Sequence, residues 1–563
     1  MKTIVHWIEH YGLRSTPKNQ RIWLAASLFF AMLYGILFWR IAFAAPYAIQ
    51  DDARQHVFWM WRYVDPSLFP NDLMADYFQS VAPLGYKALY RFAALIGINP
   101  FIFNKLLPPL ICLTGTAYTF YLALAIIPVP LIAFVNTLIL NQSLWMWDEV
   151  ASGTPKGFSV LLVIVFLFYV ARRNLWGCVI AIGLQGFFYP HLVFISVLVL
   201  ALRMVWPGSD KKQQLKFLIV GTAIAILVLL PYALETSPYG PVVSLEQAKT
   251  MAEFQEGGRN AFFRNKWWKF WLFSSRSGFF PPIVPTTTVL SLLLPLLLWL
   301  RPPLLKKINN NRVLLLQVGL AGILMFLASH ATLFWLHLPS RYSRHVIKVI
   351  VALAAAMVLI TLLDSGLRRL CKTPFSPWKQ ITALAMIAGF TIVSVGYPLL
   401  LKSFLNVVYI TSNRTVLYDY IKQQPHDIRI ASLANEAENI PAFTGRSVMV
   451  SQGHSLAYHQ GYYQQIRQRL LDLIKAQYSP ELSVLQAVIN DYGIDFWLID
   501  EKSFNPAELP HMWLRQFEPE WTQAITQLQQ QPPALQLLQP ECTAISDQGK
   551  VLISAPCLLA AKS

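Results

Sequence analysis

Of 563 residues, 55% are hydrophobic and only 13% are charged, with a mean hydropathy of +0.44. Soluble globular domains run nearer a quarter charged, so the composition excludes an ordinary soluble enzyme and indicates a polytopic membrane protein. The net charge of +17 does not argue for nucleic acid, because the basic residues fall in short clusters between apolar runs, the pattern of cytosol-facing loops.

In chain order, a basic N-terminus (Lys2, Arg14, Lys18, Arg21) leads into the first apolar run, about 22–45. The "AFA" at 42–44 imitates a signal-peptidase site, but the run is longer than a signal core and further runs follow, so it reads as an uncleaved first span. Other span-length runs fall at about 102–126, 129–146, 158–171, 217–232, 285–300, 314–330, 346–363 and 380–400. The run 175–204 is too long for one crossing and "YPH" interrupts it. Two crossings turning at Pro190 keep Arg172 and Arg173 on the same side as Arg203, Lys211, Lys212 and Lys216. About eleven spans result, with the N-terminus and the basic loops 172–174, 205–216, 301–313 and 364–379 inside. Segments 46–101, 147–157, 189–191, 233–284, 331–345 and everything after 400 then lie outside.

The first outer loop opens on two adjacent acids, Asp51 and Asp52, hemmed by aromatic and apolar residues. Neighbouring carboxylates repel when both are ionised, so a cation, a metal or a shared proton should accompany them. A helix over 50–62 would put Asp52 one turn before His56 and place Ile49, Val57 and Trp61 on one face. Asp65, Asp72 and Asp76, further along, read as a solvated loop. The second outer loop, "LWMWDEVASGTPKGF", adds Asp148 and Glu149 between aromatic residues. His191 sits at the outward hairpin tip, as a substrate contact or a plain interfacial polar residue. In 233–284, Phe263, Trp267 and Trp271 recur every four residues among Arg264, Lys266 and Lys269, which reads as an amphipathic helix lying flat on the bilayer. Arg341, Arg344, His345 and Lys348 begin the tenth span on its outer side, against the charge rule, and guanidinium there suits a phosphate.

After residue 400 the character changes. "IRIASL", "SVMVS" and "IDFWLID" read as strands. "SPELSVLQAVINDYG" reads as a helix with Ser479 as N-cap, Pro480 in first position and Gly493 past its end; helix broken by prolines follows over 507–531. The chain therefore divides into a membrane domain, 1–402, and an external α/β domain, 403–563. Cys112, Cys178 and Cys371 fall in or beside apolar runs; Cys542 and Cys557 can bridge if the C-terminal segment is outside. No CxxC or Cys/His metal spacing occurs.

The layout of a short basic N-terminus, one span, "QDDARQH", then "DPSLFPND", acids in the second outer loop, "PSRY" at a late span and an external C-terminal domain resembles the C-superfamily of membrane glycosyltransferases (GT-C). That group includes protein O-mannosyltransferases, aminoarabinose transferases and oligosaccharyltransferases. The resemblance implies transfer of a sugar from a polyprenyl-phosphate donor, within membrane lipid, to a glycan, lipid or protein acceptor on the outer face. By position, Asp51 or Asp52 matches the family's catalytic first-loop acid and Arg341 the late-span arginine that holds the lipid phosphate. His56, Asp148, Glu149, His191, Arg344 and His345 complete the candidate substrate contacts. The "WWDYG" signature of oligosaccharyltransferases is absent, and "WDEV" is not a clear DxD or ExD motif, so a divalent metal stays an open question. The rival readings are a transporter or flippase, and a non-catalytic assembly protein of the same architecture.

Overall fold

The computed structural model describes residues 7–208, 210–234, 236–371, 377–509 and 513–562. Helix lies over each apolar run of the sequence, and five helices are long and apolar enough to cross a membrane: Pro17–Ala42, Pro100–Ile126, Lys211–Leu234, Asn310–Ala331 and Ser340–Leu370. Pro155–Ala171, Leu175–Phe188, His191–Val205 and Thr286–Leu300 are shorter apolar helices. The starts are written locally. Thr16 caps Pro17–Ala42 by accepting from Asn19 N, and Asn99 caps Pro100–Ile126 by accepting from Phe101 N, each cap followed by proline in first position. The Ser340–Cys371 helix is the most enclosed of the five, because Ala352, Ala354, Ala355 and Ala356 let its neighbours close in on it.

The segments expected on one side of the membrane meet one another. Lys307 Nζ donates to Leu13 O at 3.0 Å, Asn309 Nδ2 to Ala125 O at 2.7 Å and Asn311 Nδ2 to Ala171 O at 3.4 Å, while Arg368 pairs with Glu9 at 3.6 Å. The opposite end gathers the acid-bearing loops and the C-terminal residues.

The C-terminal domain is built on a five-stranded sheet in the order Ser447–Val448, Arg429–Ser432, Phe496–Asp500, Lys550–Ser554, Thr543–Asp547. Its first three strands are parallel, and the last two form an antiparallel hairpin that sequence patterning did not suggest. The helix read from 480 begins later, at Leu482. Glu481 takes the cap position, while Ser479 Oγ accepts from Glu481 N; Gly493 ends it with φ +59° as expected. Cys542 and Cys557 are disulfide-bonded. Residues 510–512 of the proline-broken stretch lie outside the described residues.

The amphipathic helix expected through Phe263 is shorter than its periodicity suggested. Phe262 N and Phe263 N both donate to Phe254 O, which holds that stretch extended, and helical backbone starts only at Trp267. Trp267, Trp268, Trp271 and Phe273 still present their rings outward.

Candidate active site

A two-stranded sheet joins distant parts of the chain. Ala48–Gln50 pairs antiparallel with Tyr409–Thr411, and Asp51 N donates to Val408 O at 3.0 Å. The strand passes directly into the helix Asp51–His56, capped by the Gln50 side chain, which accepts from Ala53 N at 3.1 Å. Both acids thus occupy the first turn of a helix, where the backbone amides favour negative charge.

Each carboxylate has its own cation. Asp51 pairs with Arg54, which also reaches Glu438 at 2.9 Å and Asn439 Oδ1 at 2.8 Å in the C-terminal domain. Asp52 pairs with Lys156 of the 147–157 loop. It lies deep in the protein yet keeps 27% of its side chain open, as a group lining a cleft does. Burial alone would raise the Asp52 carboxyl, but Lys156 above all, with His56 and Arg341, holds it below the usual carboxylate range. His56 packs edge-on against Phe78, and burial pushes its imidazole down in spite of Asp52.

Arg341 opens the helix on the other wall. Its guanidinium makes no hydrogen bond or ion pair with the described residues, and its charge is felt at Tyr189, Glu149, Tyr458 and Asp52. Asp52, Lys156 and Arg341 are therefore partly exposed charges within electrostatic reach of one another, and the space they share defines the candidate cleft, with the only uncommitted charge of the three on the arginine.

The remaining candidates surround this cleft with their bonds largely spent inside the protein. Asp148 accepts from Gln50 Nε2 and from Val408 N, and burial, with Asp52 and Asp51 adding to it, lifts its carboxyl to about 7 against the pull of Lys156. Glu149 binds Lys348 at 2.6 Å and lies 3.8 Å from His345 Nδ1; burial notwithstanding, Lys348 and His345 hold its carboxyl at about 2. His345 also bonds Ser159 Oγ at 3.0 Å. Arg344 donates to Phe273 O at 3.1 Å and Ser274 O at 2.5 Å, which ties the tryptophan-bearing segment to the Arg341 helix. The His191 ring lies tilted against His337 at 4.8 Å and Tyr189 at 5.2 Å, with its Nδ1 buried and without a partner among the described residues.

Sequence reasoning passed over Lys156, Gln50 and Arg54. Lys156 carried one signal: it is the single cation in the acidic loop 147–157. That loop is fixed by Asn104 Nδ2 donating to Ser152 O at 2.7 Å and by Tyr90 OH donating to Gly153 O at 2.9 Å. Among the described residues, no group of three or more His, Cys, Asp or Glu is placed to hold a metal ion. With Arg54 and Lys156 already against the two acids, the donor set suits an ammonium better than a divalent cation.

These features define the class: a multi-pass membrane protein with the GT-C fold and a C-terminal sheet-containing domain. The archaeal oligosaccharyltransferase AglB from Archaeoglobus fulgidus, solved in complex with an inhibitory peptide and a dolichol-phosphate, matches at 11% identity and a TM-score of 0.53, over 88% of this chain and 70% of that one. The Archaeoglobus fulgidus oligosaccharyltransferase tethered with an acceptor peptide matches at 12% and 0.51, over 92% and 72%. ArnT from Cupriavidus metallidurans in the apo state aligns at 12% identity and a TM-score of 0.48, over 96% and 99%. No protein-family model matches the chain, and no curated protein matches it by sequence.

Proposed function

We propose that the protein is a glycosyltransferase that moves a sugar from a polyprenyl-phosphate donor to an acceptor at the extracytoplasmic face of the inner membrane. The observation that carries this reading is the Arg341 guanidinium, unpaired among the described residues and within electrostatic reach of the ionised, partly open Asp52. The AglB structure of the same fold holds dolichol-phosphate, the kind of ligand such a cleft suits.

In this reaction the donor phosphate settles between Arg341 and Lys156. Its charge draws the Lys156 ammonium away from Asp52, so the carboxylate gains basicity when the donor is in place. The acceptor O–H or N–H attacks the anomeric carbon and Asp52 takes its proton. The bond from anomeric carbon to phosphate oxygen breaks, and polyprenyl phosphate leaves with its charge balanced by Arg341 and Lys156. Asp51, committed to Arg54, holds the helix rather than the proton. Glu149, His345 and Lys348 fix the second loop against the Arg341 helix.

The reading places residues 403–563 outside the cytosol. The disulfide Cys542–Cys557 supports this, as does the gathering of basic loops at the opposite end. The test is transfer from a synthetic polyprenyl-phosphate sugar by the purified protein in proteoliposomes. Asp52→Asn should lower the rate by about 10²–10⁴-fold, and Asp51→Asn by much less. Full activity in the Asp52 variant rejects the assignment.

A further inference from the structure

A second pocket lies at the other end of the bundle. It is an open cavity of about 430 Å³ lined by Arg173, Leu175, Asp210, Lys212, Gln213, Lys216 and Phe217. The 13-residue helix Ser159–Ala171 separates it from the cleft, so the two sites stand about 20 Å apart along that helix alone. Three cations face one carboxylate here, and Asp210 is engaged in accepting from Gln213 N at 3.2 Å. The side chains of Arg173, Lys212 and Lys216 make no hydrogen bond or ion pair with the described residues. Lys212 and Lys216 are four apart, on one helical face.

Arg173 occupies an unusual position. Arg173 N donates to Val170 O at 3.1 Å and Asn174 N to Tyr169 O at 2.9 Å, the bond pair of a Schellman helix end. Its φ is +53°, the left-handed conformation that favours glycine at this place. An arginine there costs backbone strain, and the side chain it supplies lines the pocket. Retention of basic residues on one side of the membrane needs charge somewhere in the loop; it does not need charge at the glycine position.

Apolar surface leads away from the pocket into the bilayer. Trp176 and Ile180 on one helix, and Leu215 and Ile219 on the other, are exposed by 74%, 60%, 41% and 59%. A ligand with a phosphate head and acyl chains satisfies both parts, whereas free phosphate uses only the first. We infer that this pocket binds the headgroup of an anionic phospholipid of the adjoining leaflet, with its chains along the Leu175–Phe188 and Lys211–Leu234 helices.

The full-length protein in nanodiscs of phosphatidylcholine doped with phosphatidylglycerol tests this, with retained lipid counted by native mass spectrometry. The wild type should retain phosphatidylglycerol in preference to phosphatidylcholine, and Arg173→Gly and Lys212→Gln should each weaken retention about fivefold. Arg173→Gly relieves the backbone while removing the charge, so its melting temperature should hold or rise as lipid is lost. Equal retention of the two lipids, or retention unchanged in both variants, overturns the inference. Stabilisation of lipid-free wild type by inorganic phosphate alone, absent in the variants and matching that given by phosphatidylglycerol, overturns the lipid assignment in favour of a free anion. The outcome is independent of sugar transfer, so it stands or falls apart from the reaction at Asp52.

Discussion

The ammonium of Lys156 is ion-paired with the Asp52 carboxylate across 104 residues of sequence. Lys156 is the largest of the charges holding that carboxyl low against burial. Lys156→Gln should therefore let the Asp52 carboxyl rise. A reaction that needs the ionised form then fails at a higher pH than in the wild type, so the acid limb of the rate profile moves in the alkaline direction. A profile of kcat/KM against pH for the two proteins checks this; an unmoved or acid-shifted limb contradicts it.

Arg341→Gln separates binding from folding. The guanidinium bonds to no described residue, so its loss should leave the melting temperature within about 2 °C of the wild type. Two charge-assisted hydrogen bonds to a donor phosphate are worth about 3 kcal/mol or more together, so kcat/KM for the lipid donor should fall roughly 10²-fold or further. Initial rates at varied donor, set beside a melting curve, decide it.

Asp148 gives stability its own pH dependence. Its carboxyl is raised to about 7 by burial, so the folded state holds a proton that the unfolded chain releases near 3.8. Stability from this group is full below about pH 4, declines as pH rises, and is lost through about 7. Thermal unfolding between pH 6 and 8.5 should show a drop for the wild type that Asp148→Asn reduces, since asparagine cannot ionise beside Asp52.

Much of this arrangement was legible in the chain and some of it was not. The pair Asp51–Asp52 stood out because carboxylates between aromatic residues at a span end need partners. The opposed basic and acidic loops separate to two ends, as charge asymmetry implied. Lys156 was hidden, because it reaches Asp52 through tertiary packing that no periodicity reports; Arg54, three residues after Asp51 on the same helix, was legible from helical spacing and was passed over. The Phe263 helix misled because aromatic residues at fourfold spacing also suit an extended segment folded back on Phe254. The C-terminal strands were legible from β-branched runs, whereas the hairpin 543–554 begins in a stretch of mixed polarity, "TAISDQGKVLIS".

Gly153 holds the second loop at its tightest point. It has φ +58°, and an added Cβ would meet Asn104 Nδ2 at 2.5 Å and Asn104 O at 3.0 Å. Gly153→Ala should cost about 1–2 kcal/mol from the backbone conformation alone, with the displacement of Asn104 added. It should also lower transfer by shifting Lys156. Thermal unfolding and rate measured on the same preparation should fall together.

The short ribbon that places Asp51 couples Ala48 to Thr411. During synthesis the acids leave the ribosome early, but the strand that orients them is made only after nearly three quarters of the polypeptide. A nascent chain halted in its hydrophobic half has the two carboxylates without the strand register that orients them. Under the proposed reaction, competence is thus deferred until the C-terminal residues begin to emerge, and a half-built copy in the bilayer should be inert.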